Sequence, residues 1–344
     1  MTVHPLLRSL LWPASMGFAL GVRLRAWMYQ RLLEQKRLNG VVVSVGNLTV
    51  GGTGKTPMVI WLAQLLLAEG KRVGILIRGY RSSNHTLPAF AADPSLGPTS
   101  DEAWLLGRRL GDAVPIGMGA DRLLQGRLLE RQGTEWFVLD DGFQHLRLAR
   151  DADIVLIDAT DPFGRGLLPA GRGREPKAAL RRADIVIITR TDHAPAVEAV
   201  VRRCTTAPIL YAQTQLEGFF PLDAESGGSP VELRGRKVFA FCAIGNPQAF
   251  FDDLGRWGLA VVGRKSFRDH HRYSGEEAVE IERQAQAFGA GALVCTEKDV
   301  YNLRGVHFAG LPAYYSRVSM QVSDAERFRQ SILDTVQRRR KSQP

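Results

Sequence analysis

A short apolar strand, Val41-Val42-Val43-Ser44-Val45, runs into Gly46-Asn47-Leu48-Thr49-Val50-Gly51-Gly52-Thr53-Gly54-Lys55-Thr56, and an apolar helix follows over residues 58–68. A strand, a glycine-rich turn and Lys-Thr opening a helix together form a phosphate cradle. Glycines let backbone N–H groups turn toward phosphate oxygens, a lysine reaches the β/γ-phosphates, and a hydroxyl holds Mg²⁺. The strict pattern has glycine where this chain has Thr49; Gly51, Gly52 and Gly54 supply the freedom instead. The same letters could form a plain strand-to-helix turn, but the flanking strand and helix favour the phosphate reading.

The cradle commits the chain to a nucleoside triphosphate, and bulk properties narrow the rest. A length of 344 residues suits about two domains. A net charge of +10 favours an anionic partner: nucleic acid, anionic lipid or a phosphorylated substrate. Charge alone does not choose among them. Cys204, Cys242 and Cys295 are scattered and odd in number, which gives no metal spacing and no disulfide framework, and points to a reducing compartment.

Residues 6–33 are rich in Leu, Trp, Met and Phe but punctuated by Arg8, Arg23, Arg25 and Arg31. The longest uncharged run, residues 9–22 with Pro13 inside, is shorter than the ~20 apolar residues of a spanning helix. Two readings fit: a helix lying in a membrane interface with arginines toward lipid phosphates, or a long helix packed on the protein's own core.

Downstream of the cradle, short apolar runs alternate with helical segments. Strands are expected at residues 72–77, 113–116, 136–139, 154–157 and 185–189, with helices at 55–69, 121–131 and from Ser100 onward. Buried runs alternating with helices imply a parallel sheet covered on both faces. A polar stretch from Arg81 to Ser100 reads as a long functional loop. After a loop-like region around Gly218 to Gly235, a second alternating set begins at Val238. The expected organisation is an α/β chain: an N-terminal membrane-associated helix (1–35), a P-loop parallel-sheet α/β/α domain (36–215), a linker (216–235) and a smaller α/β domain (236–344). Arg338-Arg339-Arg340-Lys341 reads as a solvated basic tail.

Several segments could carry chemistry. Trp136-Phe137-Val138-Leu139 ends in Asp140-Asp141, and strand ends of parallel sheets face the ligand crevice, where an acid can hold Mg²⁺. Gln144 and His145 follow on a turn and suit the substrate. Asp101 and Glu102 either cap a helix with Ser100 or act on substrate. In Phe267-Arg268-Asp269-His270-His271-Arg272-Tyr273 the adjacent histidines point different ways, so one proton-moving histidine fits better than a metal pair; a structural histidine is the bland alternative. Arg78 and Tyr80 follow a strand end and suit a phosphate and a sugar. Arg165, Arg172, Arg174 and Glu175 lie in a glycine-rich segment able to close over phosphate.

Read together, these stretches resemble the tetraacyldisaccharide 4'-kinase (lipid A 4'-kinase) family. The resemblance rests on Val45 through Pro57, Arg78-Gly79-Tyr80, Asp101-Glu102, Asp140-Asp141-Gly142-Phe143-Gln144-His145, Phe267-Arg268-Asp269-His270 and Thr296-Glu297-Lys298-Asp299, in order. It implies two α/β/α domains with a nucleotide cleft between them and ATP with Mg²⁺ as co-substrate and cofactor. It also implies an acylated glucosamine disaccharide 1-phosphate lipid as acceptor and an anionic inner-membrane surface, on its cytoplasmic face, as the working place. It implies no protein partner and no nucleic acid.

The candidate set is then Asp101, His270 and Lys55 for catalysis, with His271 a second candidate beside His270. Thr49, Val50, Gly51, Gly52, Thr53, Gly54, Lys55 and Thr56 would bind nucleotide. Thr56, Asp140, Asp141 and Glu175 would hold metal. Arg78, Tyr80, Glu102, Arg122, Gln144 and His145 would meet substrate. A P-loop GTPase or ATPase switch is the rival, since Thr296-Glu297-Lys298-Asp299 superficially resembles a guanine-reading pattern. A nucleic-acid binder rests on net charge alone and lacks aromatic interleaving.

Overall fold

Five apolar runs that read as buried strands are buried at every position, as parallel strands covered on both faces must be. The computed structural model describes residues 5–79, 100–223 and 228–341. Tyr80 and most of the expected loop before Ser100 lie outside the described residues. The chain divides into two compact units. Unit 1 is Met1–Thr99, Leu106–Thr214 and Met320–Pro344; unit 2 is Ser100–Leu105 and Gln215–Ser319.

Unit 1 starts with helix α1 (Pro5–Arg31), strand β1 (Val41–Asn47), helix α2 (Lys55–Ala68) and strand β2 (Val73–Ile77). Helix α3 (Asp101–Leu110), strand β3 (Ile116–Met118) and helix α4 (Arg122–Arg131) follow, then strands β4 (Trp136–Asp140), β5 (Ala152–Asp158) and β6 (Ile185–Thr189). Helix α5 (Pro195–Arg202) leads to the long strand β7 (Ile209–Pro221). The strands lie in the order β3-β2-β4-β1-β5-β6-β7. β1 pairs in parallel with β4 (Val41 opposite Trp136) and with β5 (Val43 opposite Ala152). The chain leaves β1 toward one side of the sheet and returns to β5 on the other. The turn after β1 therefore sits at the switch point of strand order, where open α/β sheets bind ligands.

Unit 2 contains strand β8 (Lys237–Cys242), helix α6 (Pro247–Arg256), strand β9 (Ala260–Ser266), helix α7 (Gly275–Ala287), strand β10 (Ala292–Thr296) and the short helix α8 (Asp299–Asn302). Its strands run β11-β10-β8-β9, with β11 at Ala313–Val322. Phe239, Phe241, Leu293, Cys295 and Tyr315 form one side of its core. Cys242 and Cys295 are buried free thiols, as expected for inert cysteines.

Two expected features come out differently. Strands β7 and β11 were not legible as strands: Gly218 and Pro221 lie within β7, and Ser316, Arg317, Ser319 and Gln321 interrupt the apolar residues of β11. The expected 236–344 domain also differs from unit 2, because the chain re-enters unit 1 at Met320. Its last element, helix α9 (Ala325–Lys341), buries Phe328, Ile332 and Val336, and Phe328 packs edge-on against Trp61 at 4.9 Å.

The basic C-terminus is correspondingly not a solvated tail. Arg339 donates to the Arg150 carbonyl and to Asp184, each at 2.7 Å. Arg340 donates to the Asn39 carbonyl at 3.0 Å and pairs with Asp151 at 3.5 Å. Asp151 in turn accepts from the Val42 N–H at 2.8 Å, so the chain's end is tied to the start of β1.

Helix α1 is packed against the protein on one side and exposed on the other. Ser15 and Ala19 are buried, and Ser15 Oγ donates to the Leu167 carbonyl and accepts from the Ala170 N–H, both at 3.1 Å. That docks the helix on unit 1. Yet Leu10, Trp12, Met16, Leu20, Leu24 and Trp27 are all exposed, with Arg23 and Arg25 exposed among them. No helix among the described residues is long and apolar enough to cross a membrane.

Arg339→Ala should lower stability by about 1–3 kcal/mol at neutral pH, because it leaves the half-buried Asp184 carboxylate without its cation. A lower urea midpoint is the expected result; an unchanged midpoint would return residues 338–341 to solvent.

Candidate active site

The cradle is assembled by a polar residue at the end of an apolar strand. Asn47 closes β1 fully buried, and its Nδ2 donates to Thr53 Oγ1 at 2.8 Å, folding the loop back on itself. Its Oδ1 accepts from Lys55 Nζ at 3.4 Å and from the Arg174 guanidinium. Gly51 and Gly54 sit at φ 115° and 85°, the left-handed region that glycine enters freely. Among the described residues, the N–H groups of Gly51, Gly52, Thr53 and Gly54 donate no hydrogen bond. These donors, with the start of α2, are free to meet an anion. The Val50 N–H is different: it donates to the Arg172 carbonyl at 2.8 Å, so Val50 braces the loop.

The Asp-Asp-Gly-Phe-Gln-His run is a turn that crosses the end of β1. The Gly142 N–H donates to the Val45 carbonyl at 3.2 Å. A Cβ on Gly46 would stand 2.5 Å from Phe143 Cβ and 2.8 Å from its backbone nitrogen, so Gly46 is required by backbone contact. Phe143 is fully buried, with the Arg182 guanidinium 4.4 Å from its ring centre.

Asp141, at φ 50°, accepts from both Arg174 terminal nitrogens at 2.7 Å and lies 3.6 Å from Lys55 Nζ. Burial opposes its charge, but Arg174 and Lys55 outweigh that and hold the carboxyl well below the usual carboxylate range. Arg174 is bound on its other flank through its N–H to the Leu48 carbonyl at 2.7 Å. The glycine-rich 164–175 segment is thus laid along the cradle loop, and Thr49 and Gly173 form an antiparallel bridge.

The metal candidates divide. Thr56 opens α2 and Asp140 and Asp141 close β4; a hydroxyl and one or two carboxylates are a donor set that suits Mg²⁺, which otherwise keeps waters and phosphate oxygens. Glu175 is committed elsewhere. Both its oxygens accept from Arg182, at 2.9 and 3.0 Å, and Oε1 also accepts from Gln144 at 2.9 Å. Gln144 spends a second donor contact on the Asn47 carbonyl at 2.9 Å. Glu175 and Gln144 therefore brace the cradle, whereas the sequence pointed to metal for the first and substrate for the second.

His145 and Arg122 come together in unit 1. Burial, with the charges of Arg122, Arg150 and Arg25, pushes the His145 imidazole down to about 4, so it is neutral at physiological pH. Arg78 ends β2 exposed, and Tyr80 lies outside the described residues.

Unit 2 holds the second constellation. Ser100 caps α3 by accepting from the Ala103 N–H at 3.2 Å, which leaves Asp101 to reach inward. His270 Nδ1 lies 2.8 Å from Asp101 Oδ2. Burial opposes the Asp101 charge, yet the hydrogen bond from His270 and the Lys298 ammonium hold this carboxyl below its ordinary range. The same bond raises the His270 imidazole above its ordinary value, against desolvation. An ionised Asp101 accepts a hydrogen bond from Nδ1–H, so in the neutral ring Nε2 is the acceptor. His270 sits at φ 60°, an unusual conformation for a non-glycine residue and a mark of functional positioning.

The two histidines have different partners. His271 Nε2 lies 2.9 Å from Glu277, which also closes the capping box with Ser274 at the start of α7, and its ring stacks on Phe267. His271 is thus held in a helix cap. Asp299 reads no base: it is 1 % exposed and accepts from Ala243 N–H, Tyr273 OH, Thr296 N–H and Thr296 OH.

Asn47, Arg182 and Lys298 carry weight that sequence reading did not assign. A buried asparagine ending a run of valines was the available signal for Asn47; Arg182 and Lys298 gave none beyond their charge.

Comparison with known proteins agrees with this geometry. A family model described as Tetraacyldisaccharide-1-P 4'-kinase matches residues 7–337. The "Tetraacyldisaccharide 4'-kinase" of Pelobacter propionicus is 42 % identical over 308 residues, covering 87 % of this chain and 84 % of the relative. That of Koribacter versatilis is 38 % identical over 334 residues, covering 95 % and 99 %. The crystal structure of LpxK from Aquifex aeolicus in complex with ATP superposes with a TM-score of 0.72 at 30 % identity, over 96 % of this chain and 99 % of that one.

Gly46→Ala should cost about 1–3 kcal/mol by driving Phe143 off the end of β1, and should weaken ATP binding with it. A urea midpoint and binding of a fluorescent ATP analogue both read this; wild-type values in both would show that the close approach is not needed.

Proposed function

The chain belongs to the tetraacyldisaccharide 4'-kinase family, and from that premise we propose how its residues carry out the transfer. It is an ATP-dependent kinase of lipid A biosynthesis: it phosphorylates the 4'-hydroxyl of an acylated glucosamine disaccharide 1-phosphate, giving the bis-phosphorylated precursor. The switch-GTPase reading is not favoured.

Phosphoryl transfer asks a protein mainly for positioning and charge stabilisation. The open N–H groups of Gly51 to Gly54 would cradle the phosphates, and Lys55 would neutralise charge building on them. Thr56, Asp140 and Asp141 would hold Mg²⁺, whose chemistry there is to polarise the β/γ-phosphates. Arg174 can exchange its bond to Asp141 for phosphate oxygens once nucleotide enters, because a guanidinium fits both oxyanions bidentately.

The observation that carries the acceptor half is the 2.8 Å bond between Asp101 and His270. Asp101 orients the imidazole, and the pair aligns the 4'-hydroxyl and takes its proton, with Nε2 the nitrogen left to receive it. Arg122, His145, Arg78 and Glu102 are substrate candidates; a neutral His145 beside Arg122 can hydrogen-bond a sugar or phosphate oxygen without carrying charge.

The substrate's acyl chains hold it in a bilayer, since each buried CH₂ is worth about 0.8 kcal/mol. The enzyme then works as a peripheral or monotopic protein at an anionic surface, the cytoplasmic face of the inner membrane, with no protein partner required. The exposed Leu10, Trp12, Met16, Leu20, Leu24 and Trp27 of α1 support this: a helix already docked through Ser15 has no other reason to present so much apolar surface to water.

Transfer of labelled γ-phosphate from ATP to an acylated disaccharide 1-phosphate in detergent micelles tests the activity. Asp101→Ala should leave ATP affinity near wild type and lower kcat by about 10²-fold or more; wild-type turnover would remove the pair from the mechanism. Leu20→Asp with Trp27→Asp should weaken sedimentation with anionic phosphatidylglycerol vesicles, and undiminished binding would assign α1 a purely structural role.

A further inference from the structure

A third group touches the Asp101–His270 pair, and it comes from Thr296-Glu297-Lys298-Asp299, a stretch given no role in the transfer so far. Lys298 Nζ lies 3.8 Å from Asp101 Oδ2, the same oxygen that meets His270 Nδ1, and 3.4 Å from Glu102 Oε1. The contact is built. Lys298 precedes α8, and the Asp299 carboxylate next to it accepts from Thr296 N–H and OH on one oxygen. Its other oxygen accepts from Ala243 N–H and Tyr273 OH. The Ala243 carbonyl accepts from the His270 N–H at 3.3 Å. One buried carboxylate thus fixes the backbone under Lys298 and, through Ala243, the backbone of His270.

Resting on the kinase reading above, we propose that Lys298 is a positioning residue for proton removal: its ammonium pins the Asp101 carboxylate in place and keeps the Asp101–His270 pair from holding its proton too tightly. The charges facing the pair explain the need. Asp101 and Glu102 come from α3, and Asp269 lies 3.8 Å from His270 Nε2. Two carboxylates on one imidazole, Asp101 at Nδ1 and Asp269 near Nε2, would trap it as the imidazolium. Lys298 is the cation that opposes them, acting to lower both Asp101 and His270. Those carboxylates in turn outweigh burial and hold the ammonium itself protonated, above its ordinary range. Lys298 reaches the hydroxyl only through the pair, so it acts on when the base is free, not on what it contacts.

The sign follows from charge. Removing a cation beside two titrating groups favours the protonated form of each, so the pH at which the base becomes free must rise. Lys298→Met should therefore move the acid limb of the kcat/KM–pH profile up by about one unit, with ATP affinity unchanged. Lys298→Arg, which keeps the charge, should leave the limb near its wild-type position. Asp269→Asn removes the carboxylate 3.8 Å from His270 Nε2 and should move the limb down, which keeps the idea testable if Lys298→Met does not fold. The measurement is labelled phosphate transfer to the acylated disaccharide 1-phosphate in micelles, from pH 5 to 9, on the full chain. A purely structural lysine would lower kcat at all pH values without moving the limb, and that result, or a limb unmoved in both Lys298→Met and Asp269→Asn, overturns the proposal. If the wild-type protein transfers no phosphate, the kinase reading itself falls; if it transfers phosphate and the limbs stay fixed, only the role of Lys298 does.

Discussion

The nucleotide end of unit 1 depends on the approach of Phe143 to Gly46. With no side chain on Gly46, the turn after β4 lies directly over the end of β1. That brings Asp141 to Lys55 and Arg174, and Gln144 to the Asn47 carbonyl. Three segments far apart in sequence, the cradle loop, the Asp-Gly-Phe-Gln turn and the 164–175 strip, become one hydrogen-bonded layer. In this layer the cationic groups meant for phosphate are already held by a carboxylate. Their geometry is set before ligand arrives, which is what electrostatic stabilisation of a transferring phosphoryl group needs.

Unit 2 repeats the logic with different parts. Its site is also a cation and a histidine held against carboxylates, and its support is also a buried polar residue, Asp299, with each oxygen accepting two bonds. Burial raises the Asp299 carboxyl against those bonds. Such a group persists only where its partners are complete, since a half-satisfied buried carboxylate is costly.

What the sequence disclosed and what it withheld follow from the range of each interaction. Parallel strands such as β1 and β5 were legible because every position is apolar, and α4 because Asp121 caps it through the N–H groups of Leu123 and Leu124. β7 and β11 were not, since most of their residues are less than fully buried and polar residues interrupt the apolar ones. At the sites, Lys55, Asp101 and His270 were read as candidates by motif and by family resemblance. The duties of Glu175 and Gln144 were not, because a carboxylate's partner across 7 or 31 residues is a matter of tertiary contact. His271 could be told from His270 only once Glu277 was seen to hold it.

The path of the chain has a consequence for biogenesis. Unit 2 is largely an insertion between Thr214 and Met320, and the last helix returns to unit 1. Asp184 and Asp151, the latter bonded to Val42 in the central strand, meet Arg339 and Arg340 only when the final residues are made. A ribosome moving from the N-terminus therefore releases the phosphate-binding half incomplete, with buried carboxylates lacking their cations. The phosphate-binding half closes only once residue 340 has emerged, so a chain that stops short of Arg339 emerges as a poorer folder rather than as a shortened enzyme.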